Sequence, residues 1–122
     1  YGGNPLACAV AGAVFDVVNT TEVLHGVRAR HALFMEGLKA INARRRVFRD
    51  LRGEGVWLGC ELDERYAGRA PDVLRAASDE GLLVLMAGPN VVRIAPSLVI
   101  SLDEILEGLA RLEKALGRAL PG

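Results

Sequence analysis

The chain has 122 residues, 51% of them hydrophobic and 25% charged, which suits one globular domain with its own core. Fifteen basic residues balance fifteen acidic ones, removing any net electrostatic pull toward nucleic acid or an anionic membrane. No apolar run approaches the roughly 20 residues that cross a bilayer, so no membrane-spanning helix is expected.

The chain opens on Tyr1-Gly2-Gly3-Asn4-Pro5, with neither an initiator Met nor a polar leader, and is expected to be the cut end of a longer protein. Asn4 can cap a helix and Pro5 suits its first position, so a helix is predicted over residues 5–18. Leu6, Val10, Val14 and Val17 line one of its faces, and small residues such as Ala7, Ala11 and Gly12 fit close docking onto something outside the chain. A second helix is predicted to about residue 43, capped by Asn19 with Glu22 three residues on, and carrying Val23, Val27, Phe34, Leu38 and Ile41. Its end, Arg44-Arg45-Arg46, reads as a solvated terminus favoured by the helix dipole.

Residues 47–51 read as a short strand, and Gly53-Glu54-Gly55 as a turn into a better strand over residues 56–62. Pro71 opens a third helix with Val73, Leu74 and Ala77, which Gly81 stops by a left-handed cap. Residues 82–86 and 91–95 flank Ala87-Gly88-Pro89-Asn90 and predict a hairpin. Ser101 and Glu104 have capping-box spacing, and Ile105, Leu109, Leu112 and Leu116 repeat along one face until Gly117 and Pro121. The element order predicts an α+β fold, a small antiparallel sheet covered by helices.

Cys8 and Cys60 lie far apart without a secretory signal, a usage that fits reduced, buried thiols in a cytoplasmic protein. Without a CxxC spacing they make neither a zinc site nor a redox pair. His25 and His31, six apart on one helix, point about 240° from each other and cannot share a metal. No metal site is expected. Lys39 and Lys114 sit on helices at solvent positions, Ser101 is a cap, Ser78 lies on a helix face, and Ser97 has no GxSxG elbow around it. No catalytic residue is expected in this chain.

Two places could bind an anion. The Gly2-Gly3-Asn4-Pro5 turn presents helix N–H groups that could meet a phosphate, although local sequence alone favours a plain capped start. In Val91-Val92-Arg93-Ile94-Ala95-Pro96, strand alternation puts Arg93 on the face opposite Val92 and Ile94. An arginine so placed either grips a carboxylate through paired hydrogen bonds or lies on the solvated side of a half-covered sheet.

Tyr1-Gly2-Gly3-Asn4-Pro5-Leu6-Ala7-Cys8-Ala9, Arg52-Gly53-Glu54-Gly55, Gly59-Cys60-Glu61-Leu62 and Ala87-Gly88-Pro89-Asn90-Val91-Val92-Arg93-Ile94-Ala95-Pro96-Ser97-Leu98, taken in order and spacing, resemble the class III pyridoxal-phosphate-dependent aminotransferases. Within that class the chain is most similar to the acetylornithine and succinylornithine transaminases, along almost its whole length. The resemblance implies the C-terminal domain of a fold-type I transferase, with residues 1–18 a helix continuing from a missing large domain and residues 19–122 the small domain. It implies a cytoplasmic homodimer in which the cofactor-binding lysine lies upstream, so that this fragment alone is inactive and is not expected to bind pyridoxal phosphate.

Arg93 matches the arginine that holds a substrate carboxylate, that of 2-oxoglutarate or glutamate, which favours the gripping role. Tyr1 and Gly2 fall at the edge of the cofactor phosphate site. The implied reaction transfers an amino group from N-acetylornithine or N-succinylornithine to 2-oxoglutarate. Trp57 stands where the family more often has an aliphatic residue, and a buried indole would need a partner for its N–H. Two alternatives stay open: a small amino-acid-binding regulatory module of similar architecture, and another ω-amino acid transaminase acting on ornithine or 4-aminobutyrate.

Overall fold

Asn4 sets the start of the first helix, its Oδ1 accepting the backbone N–H groups of Leu6 at 2.9 Å and Ala7 at 3.1 Å. Pro5 follows at a position where no N–H is needed. In the computed structural model, which describes residues 2–121, this helix (α1) runs Pro5–Val18 and buries none of its residues. Leu6, Val10, Val14, Phe15 and Val17 are all exposed, so its apolar face has no cover among the described residues.

The second helix (α2, Thr21–Arg45) leaves α1 at an angle of 74°. No single helix among the described residues is long and apolar enough to cross a membrane; α1 and α2 meet both conditions only as a pair, across the bend. The cap of α2 is Thr20 and not Asn19. Thr20 is extended, and its Oγ1 accepts from Val23 N at 3.2 Å, whereas Asn19 closes α1 by donating its backbone N–H to Phe15. Phe34, Leu38 and Ile41 are buried at helical spacing. Asn42 fastens the helix end to the next strand: its Nδ2 donates to Phe48 O at 3.0 Å and its Oδ1 accepts from Phe48 N at 2.9 Å.

Four strands form one antiparallel sheet in the order β1-β2-β4-β3: β1 Phe48–Glu54, β2 Trp57–Leu62, β3 Leu85–Met86 and β4 Val91–Ile94. The first turn differs from expectation. Glu54 pairs with Trp57, so the turn is Gly55-Val56, and Gly53 lies inside β1 opposite Leu58. The strand expected from residue 82 pairs only at Leu85 and Met86, because Leu82 and Val84 turn onto the core instead.

Between β2 and β3 the chain makes a single 3-10 turn, Glu64–Tyr66, that the sequence did not signal, and then α3 (Ala70–Asp79). Gly81, at φ 74°, ends α3 with Leu82 N donating to Ala77 O and Gly81 N to Ser78 O, the bond pair of a left-handed cap. The last helix (α4, Leu102–Ala119) carries both halves of the Ser101–Glu104 capping box, and Gly117 lies within it, not at its end.

Helices α2, α3 and α4 cover one face of the sheet. Leu38 from α2, Leu58 and Cys60 from β2, Val92 from β4, and Ile105, Leu112 and Leu116 from α4 are almost wholly buried there. Strand alternation then sends Trp57, Gly59 and Arg93 to the opposite face, which no helix covers among the described residues. This arrangement is the α+β fold expected.

Candidate functional site

On that open face the register lines up Arg52, Gly59, Arg93 and Leu85 in one row across all four strands. A cleft of about 420 Å³ lies over the row, bordered by Arg52, Trp57, Gly59, Ala87, Val91 and Arg93. Gly59 forms its floor, where even a Cβ would touch nothing nearer than Val91 Cγ1 at 3.6 Å.

The two arginines of the cleft are in opposite states. Arg52 Nη1 donates to Asp50 at 3.0 Å and to Glu61 at 2.9 Å, and these bonds hold its guanidinium above the usual arginine value, Asp50 first and then Glu61. Arg93 is half-buried and pairs with no carboxylate among the described residues. Its guanidinium carbon instead stands 5.4 Å from the ring centroid of Trp57. One charge is compensated and the other is available to an incoming anion.

Trp57 is 63% exposed, so the buried indole expected from the sequence is corrected: its ring lies beside Arg93 and needs no interior partner. Residue-by-residue reading missed Trp57 and Arg52 as members of this cleft. The signal that finds them is the β1–β2–β4 register, which joins segments more than thirty positions apart.

The other candidates lie elsewhere. Gly2 is exposed in the turn before α1, while Tyr1 lies outside the described residues. Lys39 is exposed on α2, Lys114 pairs with Glu80 at 3.5 Å, and neither borders the cleft. His25 is exposed; His31 is half-buried, with Nδ1 2.7 Å from Gly55 O. Ser97 Oγ accepts from Val99 N at 3.3 Å. No group of three His, Cys, Asp or Glu among the described residues is arranged to hold a metal. Cys60 is buried as expected, but Cys8 is exposed on α1 because nothing among the described residues packs against that helix.

The family model described as aminotransferase class-III matches residues 1–116. The chain belongs to this family. As a class-III aminotransferase sequence it is 54% identical over 122 residues to the acetylornithine/succinyldiaminopimelate aminotransferase of Yersinia pestis, a match covering 100% of the chain and 30% of the relative. It is 60% identical over 116 residues to the acetylornithine aminotransferase of Vibrio parahaemolyticus, covering 95% of the chain and 29% of that relative.

Among solved structures, N-acetylornithine aminotransferase from Stenotrophomonas maltophilia superposes with a TM-score of 0.88 at 40% identity, over 96% of this chain and 32% of that one. The chain thus spans under a third of the length of the relatives it matches. Its helices and small antiparallel sheet are those of an aminotransferase fold.

Proposed function

We propose that this chain is the C-terminal part of a pyridoxal-phosphate-dependent aminotransferase that moves the terminal amino group of N-acetylornithine or N-succinylornithine to 2-oxoglutarate, yielding glutamate. The names of the relatives at 54% identity and above support the N-acylornithine donor; among solved structures, acetylornithine aminotransferases match at 29–40% and ornithine aminotransferases at 23–28%. A free-standing regulatory module loses its ground, since architecture alone motivated it.

Residues 19–122 are read as the small domain. Residues 1–18 are read as the tail of a large domain, whose upstream residues would cover the exposed apolar face of α1. The residues here do not fit the cofactor by themselves: no lysine borders the cleft, and Asn4 already occupies two of the N–H groups that start α1. We therefore assign the cofactor to the remainder of the protein, with Gly2 and Tyr1 at the edge of its phosphate site, in a cytoplasmic homodimer; the fragment alone is inactive.

The observation that carries the reading is Arg93, an arginine on the open face of the sheet without a carboxylate partner among the described residues. It holds the α-carboxylate of 2-oxoglutarate or glutamate through paired N–H donors and so orients the reacting carbonyl or amine. Replacing Arg93 with Lys in the intact enzyme keeps the charge and loses the fork, and is expected to raise KM for 2-oxoglutarate at least tenfold, to order of magnitude. An unchanged KM refutes the role.

A further inference from the structure

We infer that Trp57 is a positioning residue that fixes the Arg93 guanidinium for carboxylate binding, an inference that rests on the reading of Arg93 given above. The register explains why support is needed. Directly opposite Arg93 stand Gly59 on β2, which offers no side chain, and Leu85 on β3, which offers an aliphatic one, so neither cross-strand neighbour at its own level gives the guanidinium a polar or aromatic partner. Trp57 lies two residues before Gly59 on the same face, at the diagonal position that a large aromatic can reach. Its ring does reach: the guanidinium carbon is 5.4 Å from the centroid, within the range of a cation–π contact.

The neighbouring groups leave this contact as the orienting one. Asp50 and Glu61 are engaged by Arg52, on the other side of Gly59, so neither carboxylate pairs with Arg93 and the Arg52 guanidinium does not compete for the substrate's. A ring face fixes the plane of a guanidinium while leaving its N–H edge unengaged, whereas a carboxylate in the same place would consume that edge. Among the described residues the indole is 63% exposed and adds little to the core, and the contact it makes there is the one with Arg93.

The test uses the intact, cofactor-loaded enzyme and the variants Trp57→Leu, Trp57→Phe, Arg93→Gln and the double Trp57→Leu/Arg93→Gln. Trp57→Leu is expected to raise KM for 2-oxoglutarate about three- to tenfold, more than it lowers kcat, and Trp57→Phe to restore most of the loss. In the Arg93→Gln background the same change is expected to add nothing, because the group being positioned is gone.

If Arg93→Gln raises KM and Trp57→Leu does not, the inference falls while the reading of Arg93 stands. If Arg93→Gln leaves KM unchanged, the reading falls and takes the inference with it. A Trp57→Leu effect that persists without Arg93 means that the indole touches substrate directly, which also overturns the positioning role. Should Trp57→Leu not fold, Trp57→Met, ringless and of comparable reach, is read by the same criteria.

Discussion

The carbonyl oxygen of Trp57 occupies the space that a Cβ on Gly53 would need, and Leu58 Cα stands 2.8 Å from the same point. Gly53 also sits at φ 141°, where side chains are strained. Both obstacles are backbone atoms of the paired strand, so neither can yield without opening the β1–β2 ladder beneath the cleft. Gly53→Ala is therefore expected to cost about 2–4 kcal/mol in urea denaturation of the purified protein. Gly55→Ala should cost less, about 1–2 kcal/mol, because its obstacle is the side-chain atom Val27 Cγ1 at 3.1 Å and only the left-handed φ of 57° remains. Equal costs at the two positions would show that the close approach at Gly53 is not what demands glycine.

Those two glycines also show where the sequence could be read and where it could not. In Gly53-Glu54-Gly55 both resemble turn formers, and only the strand pairing reveals that one makes the turn while the other admits a neighbouring backbone. Helices α1 and α4 were legible because cap chemistry and apolar period act within a few residues. Asn19 and Thr20 were not separable, as both are good caps and the bend between α1 and α2 chooses the second. Arg93 was legible from alternation along its own strand. Its partnership with Trp57 was not, because β4 pairs with β2 across the intervening α3, a contact no local pattern encodes.

The two thiols should separate cleanly under native labelling. Cys60 is buried between the sheet and the helices, and burial, outweighing the opposing charge of Arg52, pushes its thiol up to about 12, while Cys8 is exposed. The thiolate is the reactive form, so this chain should take up one equivalent of an alkylating reagent when native at neutral pH and two when unfolded. The shift also sets an alkaline limit. With the folded pKa raised from 9.0, the contribution of Cys60 is fully present below pH 9 and fades as the pH climbs from 9 toward 12. Cys60→Ala should flatten that part of the stability–pH curve; an unchanged slope would assign the alkaline loss to other groups.

Glu113 on α4 accepts two parallel bonds from Arg44 near the end of α2, Nε and Nη2 both at 2.8 Å, with Arg45 Nε at 3.6 Å. The Arg44 hydrogen bond, ahead of its Coulombic attraction and that of Arg45, holds the carboxyl below its ordinary value of 4.5. A depressed folded pKa stabilises the fold above the unfolded value and loses that stabilisation as the pH falls through the folded one. Glu113→Gln is thus expected to lower Tm slightly at pH 7, and the difference from the parent should shrink below pH 4.5 and in high salt. A difference that persists into acid would mean the substitution acts through helix packing and not through charge.

Arg46 invites the opposite kind of substitution. It caps α2 at φ 54° and ψ 44°, the left-handed conformation, and is the one non-glycine residue with positive φ among the described residues. A side chain in that conformation costs about 1–2 kcal/mol relative to glycine, whereas glycine gives back about 0.5–1 kcal/mol through the freedom it adds to the unfolded chain. The Arg46 carbonyl, which accepts from Arg65 Nη2 at 2.5 Å, is backbone and survives the exchange. Arg46→Gly should therefore stabilise the protein by about 0.5–1 kcal/mol, and Arg46→Val, with a branched Cβ in the same conformation, should destabilise it. Thermal denaturation of the two variants side by side checks the argument: a loss of stability in Arg46→Gly would mean that the guanidinium does more at this helix end than its cap geometry requires.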